Sequence, residues 1–366
     1  MNLSHFVQGR DNNFNLIRII AAVAVLVTHC FALAIGSGSA EPLRSSLGTT
    51  LGGLGVDIFF ITSGFLVTGS LLTRQNAIEF FWARALRIYP ALLVMVFLTV
   101  FVLGVFFTLQ PLSTYFTERG TLVYLVKNST LLAGVAYTLP GVFEAVPYKK
   151  AVNGSLWTMP YEIRMYLTLA AIWILASIAP KYRVRTFKLT VVALAAGAAV
   201  AYLPGHFPLE GESGWLQLFF MFFVGAAFYV LKDYIPLSSP FFVLCTIALA
   251  ISSSEKHAFF VVYNLLVAYI LFYLAYKPAG ILRAYNRLGD YSYGVYIYAF
   301  PVQQSAAALI PGVSVAMMLA ISLPISIAMA AISWHLIERR ALDLKGAHAD
   351  RLRRLASYYA KWTSTR

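Results

Sequence analysis

Uninterrupted apolar runs, each near the roughly 20 residues that carry a helix across about 30 Å of hydrocarbon, recur along almost all of the 366-residue chain. The runs are continuous and do not alternate every second residue, so they read as helices and not as strands. Backbone groups left unpaired in lipid restrict spanning structures to helices and closed barrels, and the continuity removes the barrel. With 60% hydrophobic and only 12% charged residues, a water-soluble surface cannot be built from this chain. The expected fold is therefore all-α: a polytopic integral membrane protein with about ten transmembrane helices, near residues 14–36, 48–73, 88–109, 160–179, 187–204, 214–231, 239–253, 257–276, 289–310 and 314–337.

An even number of spans puts both termini on one side, and the positive-inside rule makes that side the cytoplasm. This choice places Arg10, Arg74, Arg84, Arg87, the basic residues from Lys181 to Lys188, Lys232, Lys277, Arg283, Arg287, Arg339 and Arg340 inside. It leaves Arg44, Arg119, Lys127, Lys149, Lys150 and Lys256 outside. The same asymmetry assigns the apolar stretch 121–137, broken by Lys127 and Asn128, to a long outer loop that lies on the membrane or re-enters it. The first run resembles a cleavable signal, but it exceeds the usual apolar core of about 7 to 15 residues and contains two ionisable residues. Residues 1–345 are expected to form the transmembrane domain. Residues 346–366 are expected to form a basic amphipathic cytoplasmic tail, with Leu352, Leu355, Tyr359 and Trp362 on one stripe.

The net charge of +13 is dispersed between apolar segments, so anionic lipid headgroups and an anionic cofactor, not nucleic acid, are the partners it suggests. Cys30 and Cys245 both lie inside apolar runs, where they pack as small hydrophobes, and no metal-ligand motif is visible.

Ionisable residues inside spans cost about 2.5 to 3.5 kcal/mol each at the helix centre, which makes each a functional candidate. Arg18 and His29 are 11 residues apart in the first run. That spacing is a net rotation of roughly 20° and a separation of about 16 Å along one helix face. Arg18 then lies near the cytoplasmic mouth of a cavity and His29 toward its outer half. A neutral imidazole there can take a proton from a hydroxyl, as a general base for acyl transfer must; a core histidine bonded to a carbonyl is the structural alternative. Asp57, in GGLGVDIFFITSGF, falls at a similar depth and could orient the imidazole or pair with an arginine. Arg84 and Arg87 share a face just before Pro90 and suit bidentate phosphate binding, or else serve as interfacial anchors. On the outer side, NGSLWTMPYEIRMY offers Asn153, Trp157 and Glu162 to a sugar face, against the plainer readings of an interfacial Trp and an ion pair.

Taken in order, Arg18 with His29, GVDIFFITSGF, the Arg84 and Arg87 pair, NGSLWTMPYE, GDYSYGVYIYAFP and SWHLIERR resemble the membrane-bound acyltransferase 3 family over about residues 12–340, in its stand-alone branch without an appended esterase-like domain. The resemblance implies O-acylation, usually O-acetylation, of a lipopolysaccharide O-antigen or exopolysaccharide type glycan. The donor would be acetyl-CoA or another acyl-CoA drawn from the cytoplasm across a bacterial plasma membrane. It further implies functional roles for an Arg and His pair, matched by Arg18 and His29, and for an Arg pair, matched by Arg84 and Arg87. With the residue readings above, His29 and Asp57 are expected to serve catalysis, Arg18, Arg84 and Arg87 to hold the donor, and Asn153, Trp157 and Glu162 to meet the acceptor, with no metal. Ala299 stands where many relatives carry a histidine, so a proton relay through that position is not expected. Direct attack and an acyl-histidine relay both stay open. A transporter of an anionic or lipid-linked substrate is the alternative from a different class, since buried Arg, His and Asp also mark proton-coupled permeases.

Overall fold

The computed structural model describes residues 1–9, 11–204 and 214–345, and no strand is found among them beyond three isolated bridges. Arg10 and the expected amphipathic tail, 346–366, lie outside the described residues. We number the principal helices α1 Phe14–Ile35, α2 Leu51–Arg74, α3 Ala77–Leu98, α4 Arg119–Thr130, α5 Met159–Ala176, α6 Arg183–Tyr202, α7 Trp215–Val230, α8 Ser239–Ser252, α9 Lys256–Tyr276, α10 Ser292–Leu309 and α11 Val315–Ser333.

Six helical segments among the described residues are long and apolar enough to cross a membrane, fewer than the ten expected. They are Phe14–Ile35, Leu51–Arg74, Ala77–Phe107, Pro180–Tyr202, Lys256–Tyr276 and Val315–Lys345. The shortfall has two physical sources. Helices α7 and α8, with 16 and 14 residues, reach only about 24 and 21 Å at 1.5 Å per residue. Helices α5 and α10 have 18 residues each but are diluted by Glu162 and Arg164 in one and by three tyrosines, Gln303 and Gln304 in the other. The stretch expected in a loop forms α4, whose 12 residues span about 18 Å, too short to cross. Buried Asn128 turns the chain back there by bonding both the carbonyl and the amide of Ala136, each at 2.9 Å.

The largest boundary difference is at α3, which begins at Ala77 and not near 88. Asn76 caps it by accepting from the Ile78 and Glu79 amides, so Arg84 and Arg87 sit inside the helix. Pro90 is carried within α3, and the tyrosine hydroxyl of Tyr293 donates to the Ile88 carbonyl at 2.9 Å beside it. Further on, α3 passes through a π turn at Thr99–Leu103, and Tyr115 donates to the Val100 carbonyl at 2.8 Å.

Small residues bring helices together. At the α2–α7 crossing a Cβ on Gly64 would lie 1.9 Å from the Phe222 carbonyl oxygen, and one on Gly225 would lie 2.0 Å from that of Ile61. Each helix therefore presses a glycine against the other's backbone, as membrane helices do where apolar lipid supplies no driving force of its own. Outside the spans, the exposed Glu255 carboxylate caps α9 through the amides of His257 and Ala258, which hold it below the usual carboxylate range.

Helices α1 and α10 run side by side in the same direction: Arg18 faces Asp290 at their starts, and Gln303 donates to the Leu26 carbonyl at 2.8 Å near their ends. Helix α2 runs opposite, its start tied to α1 through the Gly52 amide and Thr28 Oγ1 at 2.7 Å. The bundle thus has a basic end, where α1 and α10 begin, and a loop end, where residues 137–158 of the 108–158 connection lie, while α4 runs back along α3 until the Tyr89 hydroxyl donates to the Thr130 carbonyl at 3.0 Å. Gln304 pins that connection by donating to the carbonyls of Tyr148 and Ala151.

Candidate active site

At the basic end three arginines converge. Arg87, whose side chain is 13% exposed, donates from Nη2 to Asp290 at 2.5 Å and from Nη1 to Glu338 at 3.3 Å. Arg18 Nε approaches the same Asp290 oxygen at 3.8 Å. Buried charges persist when paired and hydrogen-bonded, and Arg87 satisfies both conditions. Tyr293 and Trp334 add their ring faces at 5.7 and 5.9 Å. Arg84, one helical turn away, differs: its guanidinium lies 6.0 Å from the Tyr166 ring centre, its Nε is buried with no hydrogen-bond partner, and it makes no ion pair among the described residues. Arg18 Nε likewise lacks a hydrogen-bond partner. Arg18 and Arg84 thus each keep an unbonded Nε, while Arg87 is committed to two carboxylates.

Arg18 opens onto a narrow cavity of about 40 Å³ lined also by Phe59, Ser63, Thr158, Glu162, Tyr293 and Tyr296, room for roughly three waters. Glu162 corrects an expectation. It belongs to this interior cavity and not to the outer mouth: Tyr166 donates to it, and Ser63 approaches it at 3.3 Å. The reason is local. The 3-10 turn Gly154–Thr158 leads inward, so the first turn of α5 already lies within the bundle. Thr158 and Tyr296, both on its wall, share a hydrogen bond of 2.6 Å.

A separate cavity of about 840 Å³ opens at the loop end, lined by Tyr137, Tyr148, Lys149, Gly154, Trp157, Tyr161 and Trp215 among others. Trp157 is found where expected, on this wall and edge-on to Tyr161. Asn153 is not. It is fully buried, donates to the Ile297 carbonyl at 2.9 Å and accepts from the Ser155 amide at 3.1 Å. Both bonds are internal, so Asn153 shapes the turn and offers nothing to an acceptor.

His29 lines neither cavity and is linked to the loop-end one through a single ring. Its ring packs edge-on against Phe300 at 5.1 Å, and Phe300 in turn closes on Gly154 of the cavity wall. Its Nδ1 is buried without a partner. The structure does not bring Asp57 to it: Asp57 accepts from Gln217 Nε2 at 2.8 Å and from the Tyr263 hydroxyl at 3.1 Å, joining α2 to α7 and α9. Position 57 is 28 residues along from His29 in an antiparallel helix. Equal depth there says nothing about facing direction, and the carboxylate is turned toward α7.

Sequence reasoning gave no role to Asp290, Glu338, Ser63, Tyr166, Thr158 or Tyr296. The two acids could have been found by the test applied to His29, since each is a carboxylate beside or within an apolar run at an end otherwise rich in arginine. The hydroxyls carry no such signal. No group of three or more potential metal ligands is found among the described residues.

Against known proteins, the chain aligns with the O-acetyl transferase of Shigella phage Sf6 at 28% identity over 351 residues, covering 91% of this chain and 96% of that protein. It aligns with nodulation protein 10 of Rhizobium leguminosarum bv. viciae at 30% identity over 363 residues, covering 92% and 95%. No solved structure matches it significantly. The family profile described as an acyltransferase domain matches residues 11–338, essentially the whole bundle with its arginine cluster and His29, and the chain belongs to this acyltransferase 3 family.

Proposed function

We propose that the protein transfers an acyl group, an acetyl, from cytoplasmic acyl-CoA to a hydroxyl of a cell-surface or lipid-linked glycan presented at the loop end, in the plasma membrane of a bacterium. The observation that carries this reading is the placement of Arg18 and His29 on one helix, one among arginines at the basic end and the other a single ring away from an aromatic-lined cavity at the opposite end. The name of the phage relative, an O-acetyl transferase, supports the reaction. The aromatic lining supports a saccharide acceptor, whose apolar faces stack on such rings.

In this reading Arg84 and Arg18 meet the donor's phosphates, which suit guanidinium forks. Arg87 holds the site through Asp290 and Glu338, and Trp157 meets the acceptor. His29 takes the proton of the acceptor hydroxyl as its oxygen attacks the thioester carbonyl; the C–O bond forms, the C–S bond breaks, and the imidazolium returns its proton to the departing thiolate. A cavity of about 40 Å³ cannot hold the donor's arm, so loading separates the Thr158 and Tyr296 hydroxyls. The transporter alternative draws no support from membership of an acyltransferase family.

The test compares glycans from cells producing the wild type, His29→Ala or no protein, by mass analysis of alkali-labile esters. An ester present only with the wild type supports the reading. Full esterification with His29→Ala overturns the catalytic assignment, and an altered intracellular small molecule with unaltered glycans overturns the acceptor.

A further inference from the structure

Between the His29 ring and Gly154 of the loop-end cavity wall stands one side chain, Phe300. The Phe300 ring is buried, meets the His29 ring edge-on at 5.1 Å and the Tyr148 ring at 6.4 Å, and presses on Gly154 so closely that a Cβ there would come within 2.5 Å of it. Gly154 and Tyr148 both line the outer cavity. Phe300 therefore borders the approach from that cavity to the imidazole, which stays half-buried, and the missing side chain at position 154 is what lets the ring sit there. It is held there by its own helix: Gln304, one turn on, is anchored to the Tyr148 and Ala151 carbonyls, and Gln303 to the Leu26 carbonyl.

We propose that Phe300 is the specificity-determining residue for the acyl chain, admitting acetyl and refusing longer acyl groups. This deepens the acyl-transfer reading and rests on it. A carbonyl carbon delivered to a hydroxyl beside His29 must direct its substituent away from the imidazole and the attacking oxygen. A methyl group fits against the ring edge. Two further methylenes require the volume the ring holds, and close-packed interiors yield such volume only by displacing side chains. Removing the ring joins this space to the outer cavity through Gly154 and Tyr148, so a longer chain gains somewhere to extend. One methylene in an apolar pocket is worth roughly 10- to 200-fold in selectivity, so acetyl over butyryl amounts to about 100-fold or more.

The experiment uses membranes of source cells lacking the protein, complemented with full-length wild type, Phe300→Ala or Phe300→Leu and supplied with equimolar acetyl-, butyryl- and hexanoyl-CoA. Esters released from the glycan fraction by mild alkali are measured by mass spectrometry. The expected result is a wild type that delivers acetate almost exclusively, a butyrate-to-acetate ratio raised at least about 10-fold in Phe300→Ala, and a smaller rise in Phe300→Leu. Using the ratio makes the outcome independent of any general loss of activity. If Phe300→Ala does not accumulate, Phe300→Leu decides. A wild type that uses butyryl-CoA as readily as acetyl-CoA, or variants that transfer acetate with an unchanged ratio, would overturn the proposal while leaving acyl transfer intact. A wild type that yields no ester from any donor would instead overturn the acyl-transfer reading beneath it.

Discussion

Arg84 and Arg87 look interchangeable in sequence, two cations one turn apart on one helix, yet their surroundings assign them different work. Arg87 answers two carboxylates, Asp290 and Glu338, at 2.5 and 3.3 Å. Truncating it strands both acids in the bundle, and breaking a buried pair in this way costs about 3 to 5 kcal/mol. Arg87→Ala should therefore lower the thermal unfolding temperature and the yield of detergent-solubilised protein. Arg84 makes no ion pair within 4 Å among the described residues. Arg84→Ala should keep the unfolding temperature within a few degrees of wild type while raising the KM for acyl-CoA by roughly 10-fold or more, the loss of one charge-assisted contact. Equal unfolding temperatures for the two variants would contradict this division. The same logic separates His29 from Asp57. His29→Gln should lower kcat by about 10²- to 10⁴-fold, the range of a lost general base. Asp57→Asn keeps one acceptor oxygen for Gln217, its amide can donate to the Tyr263 hydroxyl, and the variant should retain most activity, read in the same acyl-CoA turnover assay.

At the scale of elements, the α2–α7 crossing and the 3-10 turn Gly154–Thr158 bear most on function. The reciprocal glycines leave no space for a methyl group, so Gly64→Ala or Gly225→Ala must push α2 and α7 apart. The expected cost is about 1 to 3 kcal/mol, visible as a lowered unfolding temperature, whereas Gly197→Ala on α6, where nothing lies within 4 Å of the added carbon, should be neutral. At the end of the turn, Thr158 shares one hydrogen bond of 2.6 Å with Tyr296 on the wall of the narrow cavity. Tyr296→Phe removes that bond without changing ring volume. If donor loading opens this junction, the variant should show a lower KM for acyl-CoA; an unchanged KM would place the entry route elsewhere. Much of this level was legible from sequence. The apolar runs gave the identity of most long helices, because lipid leaves the backbone so few options. Helix starts were less legible: α3 begins about eleven residues early because Asn76 caps it and a membrane bundle tolerates Pro90. The facing direction of Asp57, Asn153 and Glu162 was not legible, since a polar residue near a span's end can point to solvent, to a cavity or to a neighbouring helix. Trp157 lies on the wall of the loop-end cavity and Arg18 on that of the narrow one, but His29, expected to share a cavity with Arg18, lines neither, because spacing along one helix fixes relative depth and not the space its neighbours leave.

For the whole molecule, the account requires the basic end to face the cytoplasm and the loop end to face outward. Single cysteines introduced at Ser37, at the finish of α1, and at Arg185, in the first turn of α6, should react with a membrane-impermeant thiol reagent from opposite sides of intact cells, Ser37→Cys from outside and Arg185→Cys only after permeabilisation. The most direct measurement separates the two substrates physically. Purified protein is reconstituted into vesicles with labelled acetyl-CoA confined to the compartment facing the arginine cluster and the saccharide acceptor confined to the other. The account predicts labelled ester on the saccharide with the wild type and none with His29→Ala. Ester formed only when donor and acceptor share a compartment, or formed equally by both proteins, would contradict it.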